Sequence, residues 1–152
     1  MPFSRSTQFF AGSNSARHYY AEISYNKLAL IPAADNHGAA NDGVIGWLTL
    51  DYPHPNTAGD TDSRNQRITR DAIVAADRYI DFGAYDTDHD GYIEGSELHV
   101  VVIVAGYETS FGGASSACSP SVWGHQWALS GIVAAPIVDG VRVSAAGYGG
   151  YS

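Results

Sequence analysis

Positive charge is scarce in this 152-residue chain: eight Lys and Arg stand against sixteen Asp and Glu, a net charge of -8 with histidine neutral. So acidic a balance argues against nucleic acid and anionic membrane surfaces as partners and favours cationic ligands. Cysteine is reduced to Cys118, which excludes an intrachain disulfide. Its setting, "GGASSACSPS", is a Gly/Ser loop with no adjacent base and no further cysteine for zinc, so the thiol reads as inert. Long hydrophobic runs are missing as well. The longest, Val100 to Ala105, is far too short to span a bilayer, and "MPFSRSTQFF" lacks the apolar core of a secretory signal. Either the protein is not exported or the chain starts downstream of its signal.

What is present is a foldable composition. Hydrophobic residues make up 45% and charged residues 16%, which places the chain among soluble globular domains with a single core. Four of the basic residues, Arg64, Arg67, Arg70 and Arg78, fall in one stretch with helical spacing and read as a solvated face.

Along the chain, "SARHYYAEIS" predicts a short helix from about Ala16 to Ser24 with Ser15 as its N-cap, and "KLALIP" a strand ended by Pro32. Residues 33–43, "AADNHGAANDG", are small and polar, without regular ligand spacing, and read as a surface loop. "VIGWLTL" (44–50) is a strand candidate. From Ser63 to about Ile80 the apolar residues Ile68, Ala72, Ile73, Ala76, Tyr79 and Ile80 recur three and four apart, the stripe of an amphipathic helix. "LHVVVIVAG", dense in β-branched residues, predicts a strand buried on both faces. A Gly/Ser-rich loop (112–121) leads to "VWGHQWAL", and Asp139-Gly140 marks a turn before "VRVSAAGY". Helices and strands in alternation predict an α/β or α+β layer architecture.

Between the long helix and that strand lies "YDTDHDGYIEGSE", residues 85–97. In a twelve-residue calcium loop, side-chain oxygens come from positions one, three and five and a backbone carbonyl from seven. Position nine contributes through water and twelve through a bidentate glutamate, with glycine at six for the turn. Those positions here are Asp86, Asp88, Asp90, Tyr92, Glu94, Glu97 and Gly91, with Ile93 at position eight as an apolar anchor. Five carboxylates in twelve residues with no base among them repel one another, and a hard divalent cation neutralises them. Magnesium is disfavoured by the number of protein oxygens, and zinc by the absence of sulfur and of suitably placed imidazole, His89 falling at position four. The segment after the loop reads as strand, not helix, so a switch that opens a helical groove is not expected. The calcium instead pins a helix end to a strand start.

Several stretches in order, "YYAEISYNKLAL", "GWLTL" with its proline and histidine loop, "AADRYIDFGAYDTDHDGYIEGSELHVVVIVAGYE" and "SVWGHQWAL", resemble the N-terminal half of the catalytic domain of secreted bacterial metallopeptidases of the immune inhibitor A family. The resemblance runs from about Phe3 to Tyr148. It implies a partial zincin-like domain, a twisted mixed sheet with a backing helix and an EF-hand-like calcium loop, occupying residues 1–152 as one unit. In the family a further helix carries His-Glu-x-x-His, whose histidines hold zinc and whose glutamate activates the bound water. The histidines here are His18, His37, His54, His89, His99 and His125, and none is followed by glutamate.

The resemblance therefore implies an extracellular or cell-surface protein that hydrolyses protein or peptide substrates in a longer form. Zinc is expected only there, and this chain alone is expected to be inactive. A non-catalytic calcium-binding module for adhesion or surface assembly is the alternative. The absent helix would leave one sheet face apolar and uncovered, from which self-association is expected. His125, between Trp123 and Trp127, and Glu108, after the strand, are weaker cleft candidates. For His125, packing among the indoles is the favoured reading. Ten tyrosines and the tryptophans suit either a carbohydrate- or peptide-contacting surface or ordinary packing.

Overall fold

The computed structural model describes residues 9–57, 63–109, 118–129 and 132–143, and the chain divides into two compact units, 1–47 and 48–152. In the first unit, helix α1 (Ala16–Ile23) starts where expected. Ser15 sits in extended backbone, and its Oγ accepts the His18 amide at 3.2 Å while donating to the Gly12 carbonyl at 2.9 Å. The helix ends because Tyr25 and Asn26 take left-handed backbone, φ 55° and 60°. It buries no residue, in keeping with its mixed apolar pattern.

The strand expected at "KLALIP" does not form. Residues 28–35 carry no ladder, and Leu28 and Ile31 are exposed. Residues 44–50 likewise carry none, with Trp47 exposed. β-Branched and aromatic residues favour a pleated backbone, but a strand exists only when a neighbour takes its hydrogen bonds, and no described strand pairs with these runs.

In the second unit, helix α2 (Ser63–Ala76) continues into a 3-10 turn, Asp77–Tyr79, so the helical stretch ends within a residue of the expected Ile80. Four residues of its apolar stripe, Ile68, Ile73, Ala76 and Ile80, are buried as the periodicity predicts, while Ala72 and Tyr79 are half-buried. The same helix also buries polar side chains that its pattern does not advertise. Gln66, fully buried, accepts the Val133 amide at 3.3 Å on Oε1, and Asn65 accepts from Thr57 Oγ1 on its side-chain oxygen.

A second 3-10 turn, Phe82–Tyr85, leads into the acidic loop. After the loop begins, β1 (Tyr92–Ile93) pairs parallel to β5 (Val141–Val143), and β4 (Ile137–Val138) pairs antiparallel to β5, giving the order β1-β5-β4. Asp139 and Gly140, at φ 49° and 83°, make the two-residue hairpin turn that the Asp-Gly pair signals. Two further short strands, β2 (Tyr107–Glu108) and β3 (Ser121–Val122), pair parallel. Ile73, Phe82, Ile93, Leu129, Val138, Val141 and Val143 form the core of this unit.

The segment "LHVVVIVAG" departs most from expectation. Apart from an isolated bridge at Val100 it carries no ladder, and Val101 and Ile103 are 47% and 49% exposed rather than buried on both faces. The chain is thus a small mixed α/β protein with few helices and a mixed sheet. Most of the Gly/Ser loop, and "VRVSAAGY" beyond Val143, lie outside the described residues.

Candidate metal centre

The loop is built on its first residue. The Phe82–Tyr85 turn buries Phe82 and hands the chain to Asp86, whose carboxylate is itself buried. Asp86 Oδ1 accepts the Asp90 amide and Oδ2 the Gly91 amide, both at 3.1 Å, so the chain curls around this side chain. Two left-handed residues make the curl, His89 (φ 63°) and Gly91 (φ 86°). Around Gly91 a Cβ would meet nothing within 4 Å, so the glycine serves the backbone angle alone.

The other acids are held in the same way. Asp88 Oδ1 accepts the Asp90 amide at 3.2 Å, and Asp90 Oδ1 accepts the Tyr92 amide at 2.8 Å. A turn brings Glu97 back to the loop's start, the amides of Glu97 and Leu98 both donating to the Glu94 carbonyl at 3.0 Å. There Glu97 Oε1 accepts from Thr87 N at 2.7 Å and Thr87 Oγ1 at 2.8 Å. Ile93, 1% exposed, plugs β1 into the core and anchors the loop as expected.

Two sets of carboxylates result, Asp86 with Asp88 and Glu97, and Asp88 with Asp90 and Glu94, each set with oxygens within 4.8 Å of one another. Asp88 belongs to both, so all five predicted acidic side chains share one region. These groups can hold a metal ion. A carboxylate oxygen has two lone-pair sites, and one amide hydrogen bond leaves the other for a cation. Tyr92, expected to offer only a backbone oxygen, stands outside both side-chain sets and lies in β1 opposite Arg142. Neither set includes histidine or cysteine.

The electrostatics show the strain of the acids' proximity. Burial, then the neighbouring Asp90, Glu97 and Asp88, pushes the Glu94 carboxyl above its ordinary range. Burial raises Glu97 too, but the hydrogen bonds from Thr87 and the loop amides outweigh it and hold that carboxyl below its usual value. One twelve-residue segment thus holds an acid that resists ionisation beside one that favours it, and a cation would relieve the first.

The weaker candidates are placed elsewhere. His125 stacks on Trp123 with ring centroids 5.9 Å apart, its Nδ1 2.7 Å from the Trp123 carbonyl oxygen. Glu108 accepts the Gly124 amide at 3.0 Å and so fastens β2 to the segment after β3. Cys118 is exposed. Asp35, in the 33–43 loop, spends both oxygens on the amides of His37 and Gly43 at 3.0 Å, an internal fastening of the turn. Arg67 and Arg70 pair with Asp71, and the Arg67 guanidinium lies 5.2 Å from the Tyr52 ring centroid. Burial and Asp71 push the Tyr52 phenol up to about 12.

No family model, curated protein or solved structure matches this chain.

Proposed function

We propose that residues 86–97 bind calcium, and that the ion braces the N-terminal part of an extracellular zinc metallopeptidase domain. The calcium reading is carried by one observation: the loop wraps its acidic side chains around a common region, with Gly91 in left-handed backbone at the sharp turn. Oxygen-only ligands in this number suit calcium. The ion's role is structural, because no helix follows the loop directly and its anchor, Ile93, lies in a sheet. The peptidase reading rests on the family resemblance of the ordered segments; zinc chemistry would require histidines at a spacing that these residues do not contain.

Isothermal calorimetry on the chelator-treated protein tests the calcium site. Calcium binding that is lost in Asp88→Ala supports it, and no binding heat at millimolar calcium overturns it. The peptidase reading is tested apart, by adding the continuation of the reading frame. A zinc-dependent casein cleavage that appears with the continuation supports it. A calcium-binding but proteolytically silent longer protein favours the alternative, an extracellular calcium module for adhesion or assembly.

A further inference from the structure

The segment before α2 is fastened to the β2–β3 pair through one histidine. β2 and β3 are joined by Tyr107 N, donating to the Pro120 carbonyl at 3.0 Å, and Thr109 N, donating to the Val122 carbonyl at 3.1 Å. Strand residues alternate in direction, so Ser121, between those two acceptors, turns its amide to the outer edge of β3. There Asn56 Oδ1 accepts that amide at 2.8 Å, and Ser121 is buried. Asn56 reaches the edge from left-handed backbone, φ 48°, and its own amide donates to His54 Nδ1 at 3.0 Å.

That hydrogen bond fixes the proton of the neutral ring. Nδ1 is an acceptor, so the hydrogen sits on Nε2. Nε2 is buried and without a partner, packed against Gly106, where a Cβ would stand 2.9 Å from it. A second proton has only Nδ1 to go to, and there it would point at the hydrogen of the Asn56 amide. The closed arrangement thus has an acceptor for neither hydrogen of an imidazolium. We propose that His54 is the catch of a pH-operated latch: the neutral ring holds residues 54–56 over the outer edge of β3, and its protonation releases them and uncovers the Ser121 amide while the core stays folded.

No neighbouring charge offsets that cost. On the ring's own segment Asp51 is exposed, and the Tyr52 ring lies 5.2 Å from the Arg67 guanidinium. Glu108 of β2 takes the Gly124 amide at 3.0 Å, and beyond β3 the His125 Nδ1 stands 2.7 Å from the Trp123 carbonyl oxygen. Burial, the one cause acting on His54, holds the ring below its usual range. A base depressed on folding contributes stability that is present above its unfolded value and lost as pH falls through its folded one. The latch is therefore closed near neutrality and opened by acid. Thr57 Oγ1 donates to the Asn65 side chain of α2, so the segment stays moored on that side when residues 54–56 let go.

Amide hydrogen exchange on the whole chain, followed by NMR with chelator present, tests the latch apart from the calcium reading. The protection factors of the Asn56 and Ser121 amides should fall about fivefold or more between about pH 7.5 and about pH 5.5. That of Val143, whose amide donates to the Pro136 carbonyl at 3.1 Å, should hold. His54→Asn, whose side chain accepts the same amide without titrating, should abolish the pH dependence. Protection at Asn56 and Ser121 that does not change with pH overturns the proposal, as does a fall shared equally by Val143 or one that survives in His54→Asn. If that variant fails to fold, the wild-type comparison of Ser121 with Val143 still decides.

Discussion

In the proposed calcium site Asp86 has two tasks, as an oxygen donor at position one and as the acceptor for two loop amides. Asp88, exposed and bonded to one amide, has mainly the first. Their alanine variants should therefore separate. Asp86→Ala should lose calcium binding and also lower the chelated protein's stability by about 1 kcal/mol, the cost of leaving the part-buried Gly91 amide without its acceptor while the Asp90 amide keeps Asp88. Asp88→Ala should lose affinity and leave the chelated melt almost unchanged. Calorimetry with melts in chelator checks both. Gly106 is a second single-residue test: at φ 145°, a Cβ there would stand 2.9 Å from both His54 Nε2 and the Pro120 carbonyl oxygen. Gly106→Ala should cost on the order of 1–3 kcal/mol in denaturant unfolding. His54 itself accepts the Asn56 amide on Nδ1 at 3.0 Å, and burial holds it below its usual range. Folding thus favours neutral imidazole, so His54 contributes stability above pH ~6.5 that is lost as pH falls toward its lowered folded value. His54→Gln should flatten that part of the pH–melting profile. The acidic cluster was legible in the sequence because one short segment encodes it. The hydrogen bond from the Phe82 amide to Asp139 was not, since it joins a helical turn to a hairpin far along the chain.

Elements with their own internal pattern followed their sequence. α1 was announced by its cap, α2 by its apolar spacing, and the hairpin turn by Asp-Gly. Each is stabilised within a few residues, so local chemistry is enough. Strands are different, because their hydrogen bonds go to chain far away in sequence. "VVVIV" has high strand propensity yet no ladder, while the modest "VRV" became the centre of a three-stranded sheet by gaining neighbours on both sides. β1 has only two residues, and Ile93 is its hold on the core. Ile93→Ala should cost about 2–5 kcal/mol by leaving a cavity, and it should weaken calcium binding without touching a ligand. Ile93→Val, which keeps most of that volume, should retain affinity. Fluorescence-monitored unfolding and calorimetry on the pair would distinguish loss of the anchor from a general loss of fold.

For the whole molecule, the proposed calcium site links metal to stability. A ligand that binds only the folded state adds about 2.7 kcal/mol at a hundredfold excess over its Kd, so the melting temperature should climb steadily with calcium and fall back on chelation. Magnesium at equal concentration should give a smaller rise, since its strict octahedral demand suits this many protein oxygens poorly. The mixed α/β class agrees with the expectation, although the strands that form are not the runs the pattern marked; the division into two units was not legible, because no linker composition marks residue 47. A last consequence concerns the bench. Leu98 to Tyr107 contains no Asp, Glu, Lys or Arg, and part of it is solvent-facing and without a ladder. In a chain whose net charge is -8, this is a neutral gap in the colloidal repulsion that otherwise keeps copies apart. Refolding yield should fall steeply with protein concentration, and Val101→Lys with Ile103→Lys should restore it, as light scattering during dilution from denaturant would record.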